Sequence, residues 1–475
     1  MHRKVKTKIL ATLGPATDSV EALSALIDAG VDAFRLNFSH GDADYFTKLY
    51  ENIEKVFAEK KVEIPIIQDL QGPKIRIGQM AEEGIEIKSG DTIEITTEEV
   101  AGTKEKISTS YEQLPKDVKA GSDILINDGL IRLEVKEVKG NSVVCKVVEG
   151  GKLFSHKGIN LPGANISAPS LTDRDIENLE FALKFRVDYI ALSYVRHPDD
   201  IFGLRQWLKA KDVEIPIIAK IEKPEGVDNF EAIMKAADAI MLARGDLGVE
   251  LAPQLVPIIQ KNIIRRCNAV GKLVITATQM LESMVNNPVS TRAEASDVAN
   301  AVIDGTDVVM LSEETSVGKY AVEAVSVMNR IILAAESQTQ FKHEIKFETP
   351  EDFLSNVLDA TGKAYAKISD QMRVKAISVF THTGREAEIL AKYRPNAPIY
   401  AFSDNPKTIL KIKLYHGVYS FKLLDLHDYE IAVNGSLLSL KKEGLVQYGD
   451  MVIFVAGEPK NKNSRESWIR YLYID

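Results

Sequence analysis

The chain has 475 residues, too many for a single hydrophobic core, and its length predicts about two to four domains. It is 45% hydrophobic and 27% charged, with no secretory leader and no apolar run near the roughly 18 residues of a membrane-spanning helix, so we expect a cytoplasmic globular protein. The net charge of −9 excludes a general nucleic-acid surface, and the two cysteines, Cys145 and Cys267, predict reduced core residues rather than a disulfide framework.

Eight β-like runs alternate with helical patterns along much of the chain. They lie at residues 6–14, 32–39, 65–70, 188–195, 216–222, 239–245, 272–279 and 307–314. Amphipathic stretches such as SVEALSALIDAG separate most of them, several with an acidic or Ser/Thr start and a Gly stop. Eight strand–helix repeats are typical of an α/β fold of the (β/α)8 TIM barrel type. A doubly wound open sheet remains the alternative, because periodicity alone does not close a sheet.

Two segments depart from this alternation. Residues 73–169 carry short β patterns with Gly-centred turns and no long helical pattern, which predicts an all-β lid inserted between the third and fourth barrel strands. The barrel would then comprise residues 1–72 and 170–345. Residues 346–475 contain a further strand, loop, helix and strand pattern, which predicts a separate C-terminal α/β domain.

Polar residues stand at the carboxyl ends of the predicted barrel strands, where TIM barrels carry their active sites. Any one of them is as readily a helix cap or a salt-bridge partner, but together they would share one rim. The set is Arg35, Asn37, Ser39, Asp69, Lys220, Glu222, Gly245, Asp246, Thr276, Thr278, Ser312 and Glu314.

Three of these residues form the most informative group. Lys220 and Glu222 are two positions apart, so on an extended strand their side chains leave on the same side. Asp246 follows one strand–helix–strand repeat later and is expected on the neighbouring parallel strand. Two carboxylates and one ammonium suit a divalent cation such as Mg²⁺ together with a phosphate or oxyanion.

With these motifs in place, the chain resembles the pyruvate kinase family. The matching segments include ATLGPAT, FRLNFSHG, QDLQGPKIRIG, INDGLIRLEV, KGINLPG, AKIEKPEG, LARGDLGVEL, TATQMLESM and TRAEASDVANAVIDGTDVVMLSEET, in the family's order, over about residues 6 to 320. The family plan of a (β/α)8 domain, a β-rich lid and a C-terminal α/β domain agrees with the segmentation above. The resemblance implies phosphoryl transfer from phosphoenolpyruvate to ADP, through a Mg-stabilised enolate that is then protonated.

The resemblance also assigns roles at the rim. It implies Mg²⁺ held by Glu222 and Asp246, Lys220 as the transition-state stabiliser, and Arg35 on the phosphoryl group. Thr278 and Ser312 would orient a water or proton relay near the enolate carbon, and phosphoenolpyruvate would be bound by Arg35, Lys220, Arg244, Gly245, Asp246 and Thr278. Gly245 leaves backbone amides open to the substrate carboxylate.

For the nucleotide, the resemblance points to residues on the barrel and on both sides of the lid. They are Thr12, Pro15, Asn37, His40, Arg76 and Lys157. Arg76 and Lys157 flank the predicted insertion and would meet phosphates as the lid closes. His40 is equally compatible with a structural role, and Asp128 in the lid is a further candidate.

Three positions depart from the family pattern. Lys74 stands where many members have a glutamate, and those enzymes require K⁺ near the equivalents of Asn37, Ser39 and Asp69. We expect the ammonium of Lys74 to substitute for that cation, and Leu70 lacks the hydroxyl of a common threonine. Glu313 replaces a glycine; strand alternation predicts that it faces away from Ser312 and Glu314.

The remaining expectations concern regulation and alternative functions. THTGREAE in the C-terminal domain resembles the family's effector loop, so a phosphorylated effector and a structural role stay open there. The family generally forms homotetramers. A Mg²⁺-dependent barrel lyase acting on pyruvate enolate and a non-catalytic effector-binding relative are the alternative functions, and only the kinase needs the nucleotide motifs. No nucleic acid or membrane partner is expected.

Overall fold

The computed structural model describes residues 5–164, 166–338, 345–350, 353–423, 426, 428–456 and 468–475. Its strands, in chain order, are β1 (Lys8–Leu13), β2 (Ala33–Asn37), β3 (Ile66–Asp69), β4 (Ile85–Ile87), β5 (Thr92–Thr96), β6 (Lys106–Ser108), β7 (Asp123–Ile126), β8 (Ile131–Lys139), β9 (Ser142–Glu149), β10 (Gly151–Leu153), β11 (Ile159–Asn160), β12 (Tyr189–Leu192), β13 (Ile217–Ile221), β14 (Ala239–Ala243), β15 (Leu273–Ala277), β16 (Val308–Leu311), β17 (Ala376–Phe380), β18 (Ile399–Ser403), β19 (Val418–Lys422), β20 (Met451–Ala456) and β21 (Trp468–Tyr473).

The α-helices alternate with these strands in two parts of the chain. They are α1 (Val20–Ala29), α2 (Ala43–Lys60), α3 (Leu114–Asp117), α4 (Asp173–Ala182), α5 (Pro198–Ala210), α6 (Pro224–Asp228), α7 (Phe230–Ala236), α8 (Arg244–Glu250), α9 (Val256–Val270), α10 (Arg292–Asp304), α11 (Glu313–Ser316), α12 (Ala321–Ser337), α13 (Phe353–Met372), α14 (Arg385–Lys392), α15 (Pro406–Ile412) and α16 (Tyr429–Lys442).

The eight predicted barrel strands are confirmed, and each observed strand lies within its predicted run. They close into a parallel barrel in the order β1-β16-β15-β14-β13-β12-β3-β2. The pairing of β1 with both β2 and β16 decides between the barrel and the open sheet. All parallel strands then point their carboxyl ends to one rim, which carries the predicted polar residues.

Local sequence signals fix the ends of several barrel helices. The side chain of Ser19 accepts a hydrogen bond from the Ala22 backbone at the start of α1, and Gly30 ends this helix with φ of 106°. Only a glycine adopts that left-handed conformation at little cost. Thr172 forms a capping box with Asp175 at the start of α4.

The segment between β3 and β12 is β-rich, as predicted. It contains a six-stranded sheet in the order β11-β7-β8-β9-β5-β6 and a two-stranded sheet of β10 and β4. Alternating residues of β8, among them Leu133 and Val135, are buried in a separate apolar core that includes Cys145. Cys145 and Cys267 are both buried free thiols, as expected.

The C-terminal α/β domain is also confirmed. Its sheet has the order β19-β18-β17-β20-β21, and β21 alone runs antiparallel to its neighbour. The domain packs against the amino-terminal end of the barrel, where Arg394 Nη2 lies 2.8 Å from Asp307 Oδ1 and Lys8 Nζ donates to the carbonyl of Val418. Much of the linker at 341–352 and of the final EPKNKNSRESWIRYLYID stretch lies outside the described residues. Across the described part of the chain, none of the helices combines the length and apolarity needed to cross a membrane.

Candidate active site

Asp69 is the anionic centre of the rim. It ends β3, is fully buried, and accepts a hydrogen bond from Arg35 Nε on Oδ2 at 2.6 Å. Its other oxygen, Oδ1, lies 3.1 Å from Lys220 Nζ and 3.4 Å from Ser193 Oγ. Burial raises the pKa of Asp69, but the two cations outweigh burial and hold the pKa below its ordinary value. Asp69 is therefore an ionised carboxylate that orders two cationic side chains.

Lys220 links Asp69 to Glu222, one of the two candidate metal ligands. It lies on β13, and Glu222 follows directly after the strand with its Oε1 2.9 Å from Lys220 Nζ. The same ammonium donates to Ser193 Oγ at 2.8 Å. Burial lowers the pKa of Lys220, yet Asp69 and Glu222 more than compensate and leave the pKa above its ordinary value. The side chain is thus a fixed cation, as the spacing of Lys220 and Glu222 predicts.

Glu222 and Asp246 come from neighbouring strands. Asp246 lies in the first turn of α8, immediately after β14, which pairs with β13. Burial is the main reason that the pKa of Glu222 is raised, and the Asp246 carboxylate raises it further while Lys220 lowers it. Two carboxylates that repel each other in a buried place are stabilised by a shared cation.

Glu222 and Asp246 suit Mg²⁺ better than they suit a metal ion that takes all of its ligands from the protein. In the described part of the chain, no three His, Cys, Asp or Glu side chains converge to hold a metal by themselves. Mg²⁺ is usually bound through one or two carboxylates, with substrate oxygens and waters completing its shell. Glu222 and Asp246 match that donor set.

The start of α8 is fitted closely to the loop after β15. The backbone N–H of Gly245 donates to Thr278 Oγ1 at 2.7 Å, and a Cβ on Gly245 would stand 3.3 Å from that oxygen. Thr278 has φ of 69°, so the strand conformation ends at Ala277. Thr276 Oγ1 instead donates to Thr306 Oγ1 at 3.0 Å. The predicted common face of Thr276 and Thr278 is therefore not formed.

The side chain of Arg244 points away from the candidate metal ligands Glu222 and Asp246. Its buried guanidinium contacts Asp297 at 2.7 Å, the carbonyl of Thr278 at 2.8 Å and the side chain of Gln260 at 3.1 Å. Through these contacts, the Arg244 side chain fixes the loop of residues 278–280 relative to α8. Sequence reasoning placed Arg244 on the substrate but could not show the direction of its side chain.

The chain after β16 turns into a short helix instead of continuing as a strand. Ser312 precedes α11, and its Oγ is buried without a hydrogen-bond partner among the described residues. Glu314 is buried and accepts hydrogen bonds from the backbone N–H groups of Ser312 and Leu281. Glu313 is exposed, so the two glutamates do point apart, but helical geometry rather than strand alternation separates them.

The residues predicted for the nucleotide line the rim from β1 to β2. Thr12 Oγ1 accepts from Arg35 Nη1 at 3.0 Å and donates to the carbonyl of Leu311. Pro15 is exposed in the loop after β1. Asn37 Oδ1 accepts from the backbone of Ser39 at 3.2 Å, and His40 follows this turn with an exposed side chain.

The two predicted cationic residues of the lid, Arg76 and Lys157, lie on adjacent backbone segments. Arg76 forms an antiparallel bridge with Gly158, and the N–H of Ile77 donates to the carbonyl of Lys157. The pKa of His40 is lowered first by partial burial and then by the charges of Lys74, Arg76 and Arg35. His40 therefore faces a positive field to which the barrel and the lid both contribute.

Asp128 lies at a turn of the lid close to the barrel. Asn127, Asp128 and Gly129 all have positive φ, and a Cβ on Gly129 would stand 3.7 Å from Val249 of α8. Asn160 Nδ2 donates to Glu250 Oε1 at 2.9 Å near the same place. The lid is thus in contact with the helix that carries Asp246.

Ser193 and Tyr194 were not singled out from the sequence, although both contact the site. Ser193 Oγ donates to the carbonyl of Leu70 and accepts from Lys220. The backbone N–H of Tyr194 donates to Glu222 Oε2 at 2.7 Å. The predicted fourth strand ran through both residues, whereas β12 ends at Leu192. Their position at a strand end was the available signal.

Comparison with known proteins assigns the family. The model of the pyruvate kinase barrel domain matches residues 4–325, and that of the pyruvate kinase alpha/beta domain matches residues 359–470. The chain is 43% identical to a pyruvate kinase of Geobacillus stearothermophilus over 96% of its own length and 78% of the relative's. It is 42% identical to one from Staphylococcus saprophyticus, over 98% and 80%. A crystal structure of a pyruvate kinase from Cryptosporidium parvum superposes with a TM-score of 0.90 at 37% identity, covering 99% of this chain and 96% of that one.

The barrel, the inserted sheets and these matches define a phosphotransferase built on a (β/α)8 barrel. The chain belongs to the pyruvate kinase family, and its reaction is the transfer of the phosphoryl group of phosphoenolpyruvate to ADP in glycolysis. This assignment decides against the lyase and the non-catalytic relative.

Proposed function

We propose that Lys220, Glu222 and Asp246 form the centre at which the phosphoryl group leaves phosphoenolpyruvate. The observation that carries this proposal is the 2.9 Å contact between Lys220 Nζ and Glu222 Oε1 inside a buried rim. Phosphoryl transfer needs positioning and neutralisation of charge more than covalent chemistry by the protein. The ammonium of Lys220 stabilises the charge that develops on the transferring group, and Arg35 holds that group beside it.

Glu222 and Asp246 would hold Mg²⁺. When bound, this ion supplies charge neutralisation to the phosphoryl and enolate oxygens. The protein's own contribution is a rigid pair of carboxylates, since Glu222 is fixed by Lys220 on one oxygen and by the Tyr194 N–H on the other. The backbone amides of the turn at Gly245 and Asp246 would receive the substrate carboxylate, which would replace Thr278 Oγ1 as the acceptor of the Gly245 N–H. Arg244 supports this turn from behind through Asp297.

The enolate requires a proton after transfer. Thr278 Oγ1 is held by the Gly245 N–H and donates to the carbonyl of Ala277 at 2.6 Å. Ser312 Oγ, without a partner among the described residues, is free to bind a water. Neither hydroxyl is a strong acid, so we assign both to orienting that water rather than to donating the proton themselves.

ADP would lie between the β1–β2 rim and the lid. Thr12, Pro15, Asn37 and His40 form the barrel side, and Arg76 and Lys157 form the lid side. The positive charges of Arg76 and Lys157 complement the negative charges of a diphosphate. Closure of the lid would exclude water and protect the phosphoryl group from hydrolysis.

We further propose that K⁺ is not required. Asp69, a member of the candidate monovalent-cation site, is already neutralised by Arg35 and Lys220. Asn37 Oδ1 is engaged by Ser39, and Leu70 is buried and offers no hydroxyl. After burial, the charge of Lys74 lowers the pKa of His40, which supports a place for its ammonium near the same rim.

In the C-terminal domain, the contacts of the THTGREAE loop support a structural role over a phosphorylated effector. Thr381 Oγ1 donates to the carboxylate of Glu386 and accepts from the Gly384 N–H, and His382 lies 2.6 Å from Asp404. The Thr381 hydroxyl is thus engaged by the Glu386 carboxylate, and the Gly384 N–H is engaged by Thr381 rather than open to a phosphate. A homotetramer and a cytoplasmic location complete the proposal.

The direct test is a coupled assay of pyruvate formation in which phosphoenolpyruvate, ADP and Mg²⁺ are each omitted in turn. We expect turnover only when all three are present. Pyruvate released without ADP would contradict the proposed role of the lid cations. Turnover at full rate after Glu222→Gln, with Lys152→Gln as an exposed lid control, would contradict the metal assignment.

A further inference from the structure

The lid joins the barrel through two chain crossings; α4 holds the incoming one, and the loop between β12 and α5 holds the outgoing one. At the incoming crossing, the N–H groups of Gln71 and Gly72 donate to Asp175 Oδ1 at 3.0 and 3.2 Å. At the outgoing crossing, Arg196 donates to the carbonyls of Ile166 and Ala168. The loop of residues 193–196 therefore lies at the hinge of the lid.

Tyr194 contacts both crossings. A Cβ on Gly72 would stand 2.8 Å from Cδ2 of the Tyr194 ring, so the incoming chain lies directly on this ring. The carbonyl of Tyr194 accepts from Ser170 Oγ at 2.9 Å on the outgoing chain. Gly72 has φ of 66°, which fixes the turn at this place.

Tyr194 also holds Glu222, the proposed metal ligand, in place. The backbone N–H of Tyr194 donates to Glu222 Oε2 at 2.7 Å, and Glu222 is only 2% exposed. Tyr194 has φ of 55°, a conformation that a non-glycine residue keeps only when its surroundings hold it. Its ring, packed on Gly72, provides that support. A shift of the hinge would therefore move the peptide that orients the Glu222 carboxylate.

We propose that Tyr194 is a positioning residue that couples the hinge of the lid to the metal-binding geometry of Glu222. The inference rests on the proposed metal role of Glu222. It adds that closing the lid and binding the cation are linked, so that each favours the other by the same factor. The ring contact with Gly72 and the N–H contact with Glu222 are the two ends of this link.

The test is a double-mutant cycle in which Mn²⁺, a carboxylate-binding probe for Mg²⁺, is titrated by electron paramagnetic resonance. Gly72→Ala would press a methyl group on the Tyr194 ring, and we expect it to weaken Mn²⁺ binding roughly fivefold or more in the wild-type background. In the Tyr194→Gly background, which permits the left-handed backbone but lacks the ring, the same change should weaken binding clearly less, because only the positive φ of Gly72 and its contact with Ser193 Cβ at 3.1 Å remain. Equal weakening in both backgrounds, or none in either, would overturn the proposal.

Two further measurements distinguish a failure of the proposed coupling from a failure of the metal assignment. If Glu222→Gln binds Mn²⁺ as tightly as wild type, the metal assignment is wrong and the coupling falls with it. If Glu222→Gln weakens binding but the cycle shows no coupling, only the coupling is wrong. Leu208→Ala in α5 is the control for lost stability and should leave Mn²⁺ affinity unchanged.

Hydrogen exchange tests the same link without a change at Gly72. We expect Mn²⁺ to slow exchange of the Gln71 and Gly72 amides in the wild type and in Tyr194→Phe, which keeps the ring. The slowing should be lost in Tyr194→Gly. Unchanged exchange at both amides on addition of Mn²⁺ to the wild type would contradict the coupling.

Discussion

The carboxylate of Asp69 lies 3.1 Å from the ammonium of Lys220, and both groups are buried at the catalytic rim. Since Asp69 also accepts a hydrogen bond from Arg35, one anion holds in place the two cations that we propose act on the phosphoryl group. The active-site cations are therefore ordered before any substrate arrives, which avoids the cost of arranging them during the reaction.

Asp69→Asn should destabilise the fold as well as the site. The change leaves two buried cations without their shared partner, and we expect a loss of about 3–5 kcal/mol in the free energy of unfolding at neutral pH. Because the pKa of Asp69 is lowered in the folded state, its contribution is present above the ordinary value of 3.8 and is lost as pH falls below it. Denaturant unfolding of both proteins from pH 7 to pH 3 should show the difference shrinking with acid. A difference that grows with acid would contradict the ionised state of Asp69.

Lys74→Glu should create a requirement for K⁺. The wild type is expected to turn over equally well in potassium and in tetramethylammonium buffers, because the lysine supplies the positive charge. The variant replaces it with a negative charge, which should lower turnover in tetramethylammonium and be rescued by K⁺. Lys119→Glu, an exposed lid position with the same charge change, is the control and should behave as wild type. A strong K⁺ requirement in the wild type would refute the substitution.

Arg76→Ala should raise the KM for ADP more than that for phosphoenolpyruvate. A charge-assisted contact to a phosphate contributes about 1.5–3 kcal/mol, which corresponds to roughly 10- to 100-fold in apparent affinity. Steady-state kinetics with each substrate varied in turn would measure the split. Arg132→Ala is the matched control, since Arg132 lies in the lid but pairs with Asp123 at 3.0 Å. Equal effects of the two variants on ADP would argue against a nucleotide role for Arg76.

The barrel was predictable from the sequence because its strands are buried apolar runs separated by capped helices. The same periodicity placed Lys220 and Glu222 on one side of β13, where they meet. Closure of the sheet was not predictable, since it depends on β1 pairing with β16 across 300 residues of chain. Long-range pairing leaves no signal in local periodicity.

The rest of the site was harder to predict where strands end in irregular backbone. Thr278 leaves the alternation because its φ is positive, and Glu313 belongs to a short helix rather than a strand. Arg244 begins α8, so its side chain follows the helix toward Asp297 instead of the strand face. Tyr194 adopts a left-handed conformation that tertiary contacts impose. These four directions are set by packing, not by sequence spacing.

The most direct measurement is the turnover of Lys220→Met with phosphoenolpyruvate, ADP and Mg²⁺ at saturation, after circular dichroism and Mn²⁺ binding have shown that the variant is folded and retains its carboxylates. If the Lys220 ammonium stabilises the transferring group as proposed, its removal should lower kcat at least roughly 10²–10³-fold. Turnover near the wild-type rate in this folded, metal-binding variant would contradict the role assigned to Lys220.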